Sequence, residues 1–210
     1  MAMSRAMAEP TAIAILAKAP IAGGVKSRLI SALGAEGAAL LAARMIDHAI
    51  DTACAAALGP VVLWAAPDLT HRQFQVLRQQ HAIALACQPV GDLGARMHAA
   101  VVAAGAPVLV VGADCPALTV EHLGTAARAL REHDAVVIPA EDGGYVLIGL
   151  RKPAPLLFTG MAWSASSVMA ETRQRLKTLG LTWRELAPLW DVDRPEDVAR
   201  LRRTGILEVP

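Results

Sequence analysis

Seven short apolar runs, at residues 12–17, 61–66, 83–87, 108–112, 135–139, 145–150 and 181–186, constrain the fold of this chain most. Most are continuous rather than alternating. A strand covered on one face alternates apolar with polar residues; one covered on both faces stays apolar throughout. Between the runs lie helical patterns at 35–58, 69–80, 93–104, 120–133, 166–179 and 195–203. Strand and helix in alternation predict an α/β fold, a mostly parallel sheet with helices on both faces. The alternation breaks once, where Glu141-Asp142-Gly143-Gly144 joins two runs with no helix between. Turn residues there predict a tight reversal, hence at least one antiparallel strand.

The 210 residues suffice for one domain with a substantial core. No long linker, repeat or low-complexity tract divides them. Residues 11–210 read as a single domain after a short N-terminal tail, 1–10. Apolar residues make up 54 % but aromatics only 3 %, so Ala, Leu, Val and Ile must fill the core. The formal net charge is +1, and no basic stripe is interleaved with aromatics. That argues against a nucleic-acid partner and against recruitment to an acidic membrane. The tail carries Arg5 and Glu9 and lacks the apolar centre of a signal peptide. Uninterrupted apolar runs fall short of a membrane span. Cys54, Cys87 and Cys115 are widely spaced, which suits a reducing compartment and offers no zinc-type pair. Together these features predict a cytoplasmic protein; they say nothing about oligomeric state.

Between the first strand and the first helix runs a glycine-containing, cationic loop, residues 17–29. In a parallel sheet that is where a nucleotide's phosphates bind. Gly23 and Gly24 let backbone amides approach an anion unobstructed. Lys18, Lys26 and Arg28 supply positive charge, and Arg28 suits two parallel bonds to phosphate oxygens. The loop is neither a Walker A loop nor the spaced-glycine dinucleotide fingerprint. A solvated turn with scattered lysines is the plainer alternative.

Three acidic groups stand where chemistry needs them. Gly112-Ala113-Asp114-Cys115-Pro116 follows a strand directly, which sets Asp114 at the carboxyl edge of the sheet. A carboxylate there can hold a hard divalent cation that bridges phosphates, or can simply cap a turn before Pro116. Asp191 and Asp193 alternate with Val192, so in an extended segment both face one side. They can complete a metal site with Asp114; Asp193 can instead cap the helix that begins at Pro195. Asp142, with Glu141 beside it, lies on a glycine-flanked turn and is a candidate general base.

Other residues complete the candidate site. Asp92 and Arg96 lie at the start of a helix, Asp92 as a possible cap and Arg96 within reach of phosphate. Gly143, Gly144 and Tyr145, with Trp163 and Ser164, offer an open backbone, rings and a hydroxyl of the kind that holds a sugar. A buried Trp followed by a helix cap is the alternative for the last pair. Thr119 is the expected cap of the fourth helix. His48, His71, His81, His122 and His133 lack metal-ligand spacing and read as surface or helix-end residues.

Five motifs in order carry a resemblance. They are Lys18-x-Pro20-x-x-Gly23-x-x-Lys26-Ser27-Arg28-Leu29, Gly91-Asp92-Leu93-Gly94-x-Arg96-Met97, Gly112-Ala113-Asp114-Cys115-Pro116, Asp142-Gly143-Gly144-Tyr145 and Asp191-Val192-Asp193-x-Pro195-Glu196-Asp197. The set resembles the glycosyltransferase-like family DUF2064, some members of which are named arsenosugar-biosynthesis glycosyltransferases. Ser27 stands where that family usually has Thr. The resemblance implies a single-domain GT-A fold, that of the nucleotide-diphospho-sugar transferases. It also implies nucleotide at the first loop and Mg²⁺ or Mn²⁺ at Asp114, although Cys115-Pro116 leaves no full Asp-x-Asp there. The implied reaction moves a sugar from a nucleotide sugar to a small-molecule acceptor. Lys26-Ser27-Arg28-Leu29 and the Asp191–Asp197 ending are also similar to nucleotidyltransferases of the same fold. The nearest are the guanylyltransferase of coenzyme F420 synthesis and the molybdenum-cofactor enzymes, which use nucleoside triphosphates and release pyrophosphate. A catalytically silent nucleotide-sugar-binding module is the third reading.

Overall fold

A computed structural model describes residues 9–105, 107–163 and 165–210. Seven strands form one sheet: β1 (Ala12–Lys18), β2 (Val61–Ala66), β3 (Ala84–Cys87), β4 (Val108–Gly112), β5 (Ala135–Pro139), β6 (Tyr145–Leu150) and β7 (Trp183–Glu185). Their spatial order is β3-β2-β1-β4-β6-β5-β7. All pairings are parallel except those of β6, which runs against both β4 and β5. The tight reversal after β5 therefore inserts the antiparallel strand into the middle of the sheet.

Six helices connect and cover the strands: α1 (Ile30–Ala56), α2 (Arg72–His81), α3 (Leu93–Ala104), α4 (Val120–Ala129), α5 (Val168–Thr178) and α6 (Pro195–Thr204). Strand pleating sorts the core into two layers. Ile13, Ile15, Leu63, Leu109 and Ile138 pack under Ile46, Ile50, Phe74 and Leu123 of α1, α2 and α4. Ala14, Val110, Val137 and Ile148 pack under Met97, Val101, Met169 and Leu176 of α3 and α5. A third cluster joins Leu29, Leu41 and Met45 to Trp190, Val192, Val198 and Leu201, and it docks α6 onto α1.

Differences from the expected elements have local causes. Helix α1 is interrupted at Gly34 (φ 69°, ψ 168°), so its regular part begins where the apolar periodicity does. By length and composition, the helical stretch Ser27–Ala56 is long and apolar enough to cross a membrane, which counting uninterrupted apolar runs does not reveal. In the fold, α1 lies against the sheet through Ile46, Ile50 and Ala53. Strand β7 keeps only three residues, because an edge strand with partly exposed side chains has one ladder to extend. Thr119 caps α4 and accepts from His122 N, as expected. Glycine is required inside β6, since a Cβ at Gly149 would lie 2.6 Å from both Leu109 and Val136.

Candidate functional site

Strands β1 and β4 are neighbours, with Leu16 opposite Gly112. The chain leaves β1 toward β2 on one side, while β4 continues the sheet on the other. Loops at such a switch point part and leave a crevice.

The loop after β1 is shaped by its own backbone. Gly24 N donates to Ile21 O at 2.8 Å, and Gly23 takes a left-handed φ of 78°. Val25 is buried against Ala39 and Ala42. Leu29, fully buried in the third cluster, closes the short turn Ser27–Leu29. Between these anchors Lys26 adopts φ 46°, ψ 43°. That left-handed conformation costs a non-glycine residue about 1–2 kcal/mol, and the flanking anchors over-determine it.

Lys26 Nζ donates to Asp114 Oδ2 at 3.1 Å and to Asp193 Oδ1 at 2.8 Å. Arg28 Nη1 reaches Asp193 Oδ2 at 3.2 Å from a more exposed position. Asp114 is aimed by its neighbour: a Cβ at Gly112 would stand 2.7 Å from Asp114 Oδ1. The segment bearing the other two carboxylates is tied down by Val192 N donating to Asp114 O at 2.9 Å and Cys115 Sγ to Trp190 O at 3.2 Å. Trp190 and Val192 are buried, so Asp191 and Asp193 emerge together on the other side, as the alternation predicts. The cap of α6 is not Asp193. Asp197 Oδ2 accepts from Asp193 N and Arg194 N at 3.0 and 2.7 Å, which leaves the Asp193 carboxylate to the cations.

Asp114, Asp191 and Asp193 offer ligand atoms all within 4.8 Å of one another. The Lys26 charge holds the Asp114 carboxyl below the usual range despite burial. Burial alone would pull Lys26 down, but Asp114 and Asp193 outweigh it, so the ammonium stays charged. Asp191 is pushed up to about 7, first by burial and then by the charges of Asp114, Asp142 and Asp193. No cation pairs with Asp191 among the described residues. A set of three convergent carboxylates with surplus negative charge fits a hard divalent ion such as Mg²⁺ or Mn²⁺.

The β5–β6 turn closes one flank. Gly143 has φ 96°, and a Cβ there would lie 2.1 Å from Ser166 O, so only glycine fits. Gly144 N donates to Asp142 Oδ1 at 2.9 Å, and Asp142 is an exposed residue whose Oδ2 that bond does not engage. Glu141 turns away and is held by Arg200.

The remaining candidates divide. Lys18 is exposed at the end of β1 and makes no ion pair among the described residues. Asp92 caps α3, accepting from Ala95 N at 2.8 Å. Arg96 is braced by Gly91 O and by Gln88 Oε1, both at 3.2 Å. Gln88 in turn donates to Ala17 O of β1 and Trp64 O of β2. Tyr145 and Trp163 meet edge to face, 6.4 Å apart, and pack into the α3–α5 layer. Burial pushes the Tyr145 hydroxyl up, and its proton points to Met97 Sδ at 3.8 Å. Trp163 is half-buried against that layer, and a Cβ at Gly94 would stand 2.8 Å from its ring. Ser164 lies outside the described residues.

Three supporting residues carry no local signal in the sequence: Gln88, Arg200, and His48, whose Nε2 meets Pro116 O at 3.0 Å. Two of the expected helix-end histidines are at helix starts: His71 caps α2 and His122 completes the α4 cap.

Comparison with curated proteins finds no match. Among solved structures, a candidate nucleotide-diphospho-sugar transferase from Desulfovibrio desulfuricans G20 superposes with a TM-score of 0.82 at 29 % identity, over 93 % of this chain and 87 % of that one. The 4-diphosphocytidyl-2C-methyl-D-erythritol synthase of Anaerococcus prevotii DSM 20548 gives 0.61 at 12 % identity, over 93 % and 98 %. Rv0371c of Mycobacterium tuberculosis H37Rv, in complex with manganese, gives 0.59 at 13 % identity, over 92 % and 99 %. The last two share the fold. The fold is that of the nucleotide-diphospho-sugar transferases. Residues 49–165 match the family described as "Uncharacterized protein conserved in bacteria (DUF2064)", and the chain belongs to that family.

Proposed function

We propose that the protein is a metal-dependent transferase that moves a sugar from a nucleoside-diphosphate sugar to the hydroxyl of a small acceptor. One observation carries the reading: Lys26 and Arg28 meet the Asp114–Asp191–Asp193 cluster at the crevice between β1 and β4. Similarity to the Desulfovibrio protein, at 29 % identity, supports a nucleotide sugar as donor. Phosphates would lie along the loop of Gly23 and Gly24, with Lys18 and Arg96 at its flanks.

Asp114, Asp191 and Asp193 would hold Mg²⁺ or Mn²⁺, which when bound supplies Lewis-acid stabilisation of the diphosphate. Lys26 and Arg28 neutralise the charge that grows on the departing nucleoside diphosphate as the bond from the sugar's anomeric carbon to its phosphate oxygen breaks. The acceptor oxygen bonds to that carbon and gives its proton to Asp142, whose Oδ2 is not engaged by the turn.

Nucleotidyl transfer is the second reading, and one observation favours it. Pro116 stands where a second metal carboxylate of an Asp-x-Asp would be. The products separate the two. With Mn²⁺ and a panel of nucleotide sugars and acceptors, release of a nucleoside diphosphate supports sugar transfer. Pyrophosphate released from a nucleoside triphosphate, in step with consumption of a phosphorylated acceptor, would overturn it.

A further inference from the structure

Lys26 stands inside the cluster rather than beside it. Its Nζ lies 3.1 Å from Asp114 Oδ2 and 2.8 Å from Asp193 Oδ1, two of the three carboxylates that converge within 4.8 Å. A divalent ion bound to the same oxygens would face the ammonium at contact range, and the two cations repel. One of the two cations has to leave. The backbone of Lys26 is fixed by buried Val25 and Leu29, but its four-carbon stem is flexible. The ammonium can therefore move while the loop stays.

Where it can go is limited by charge. Its side chain is only 13 % exposed, so leaving the carboxylates without finding another anion strands a cation in a shallowly hydrated crevice. Asp193 is already shared with Arg28. A diphosphate lying on the loop is an anion within reach of that stem.

We infer that Lys26 is the resident counter-ion of the divalent site, and that metal and nucleotide enter together because the nucleotide's phosphates draw the lysine away. This rests on the reading that Asp114, Asp191 and Asp193 hold a divalent ion. Lys26 thus sets what the crevice accepts: a metal–nucleotide pair in preference to free metal. By linkage, the factor by which nucleotide tightens metal is the factor by which metal tightens nucleotide.

The test titrates Mn²⁺ into the protein by electron paramagnetic resonance, first without nucleotide. Lys26→Met is expected to bind Mn²⁺ at least 10-fold more tightly than wild type. A pool of nucleoside diphosphates is expected to tighten Mn²⁺ binding to wild type by a similar factor and to change the variant little. Equal or weaker binding by Lys26→Met overturns the inference and makes Lys26 a permanent strut. A second arm needs no variant. Acetic anhydride labelling, read by mass spectrometry, should modify Lys26 more slowly than exposed Lys18 in metal-free wild type, and at a comparable rate with saturating Mn²⁺. Protection of Lys26 that persists in Mn²⁺ also overturns it. Failure of both proteins to bind Mn²⁺ removes the metal site and the inference with it. Nucleotide binding, measured separately by thermal shift, still decides the proposed transferase.

Discussion

Arg200 grips Glu141 with both terminal nitrogens, at 2.6 and 3.0 Å, and lies over the Trp190 ring at 4.5 Å from its centroid. One side chain on α6 thereby ties the turn carrying Asp142 to the segment carrying Asp191. The ion pair also holds the Glu141 carboxyl below its ordinary range. Misplacing reacting groups by about 1 Å can cost roughly 100-fold in rate. Arg200→Ala is expected to lower turnover about 10- to 100-fold with donor affinity nearly unchanged. Arg200→Lys should recover part of it, since a lysine keeps charge over the ring but loses the paired contact. Wild-type turnover in Arg200→Ala would show that the link is decorative.

Asp142 is the acidic group of the turn whose Oδ2 is not engaged within it. Asp142→Asn is expected to reduce turnover about 100-fold or more, the low end of general-base effects, with donor binding intact. Glu141→Gln should do far less. If the two effects are reversed in size, the base has been assigned to the wrong neighbour.

Gly112 makes room for a carboxylate rather than for a backbone turn. A methyl at that position meets only the tip of Asp114, at 2.7 Å. Gly112→Ala should therefore fold normally yet bind Mn²⁺ at least about 10-fold more weakly, a loss of roughly 1.4 kcal/mol. Isothermal titration beside a melting curve separates these two effects. Gly149→Ala, which pushes on Leu109 and Val136, is expected to destabilise by about 1–3 kcal/mol instead.

Asp191 gives the metal-free protein a pH signature. Its carboxyl is raised from 3.8 to about 7 in the fold. The stability it contributes is fully present below the unfolded value and is lost as pH rises through about 7. Urea melts should show wild type less stable at pH 8 than at pH 5, with the difference reduced in Asp191→Asn. Mn²⁺ at pH 8 should restore stability, by about 2.7 kcal/mol at 100 times its dissociation constant. An undiminished pH difference in Asp191→Asn would refute the assignment.

Leu29 ties the cationic loop to the core of α1 and α6. Leu29→Ala leaves a cavity at a fully buried position and is expected to cost about 2–5 kcal/mol. Because Lys26 and Arg28 sit just before it, nucleotide affinity should fall as well. Full affinity in a destabilised variant would mean that the loop is held by Val25 alone.

Much of this arrangement is readable from the chain because its signals are local. Doubly covered strands write themselves as unbroken apolar runs. Asp191 and Asp193 share a side because Trp190 and Val192 occupy the other. The alternatives that local chemistry leaves open are decided by distant partners. Asp193 does not cap α6 because Lys26, 167 residues earlier, takes its carboxylate. Glu141 leaves the turn because Arg200 lies 59 residues later. Trp163 packs half-buried against α3 because Gly94 has no side chain to keep its ring away. Gln88 and Arg200 have no periodic or motif context, and only the fold gives each something to hold.

Asp114 follows the fourth strand, whereas Asp191 and Asp193 come more than seventy residues later, beside Trp190, Val192, Val198 and Leu201, which complete the cluster under α1. A ribosome that has made the first five strands has therefore made a phosphate loop with no working acid cluster and an uncovered helix face. The acid cluster and the cover of that helix face arrive together. Any truncation before residue 190 should give a chain that is both inert and recognisable to quality control by its bare apolar surface.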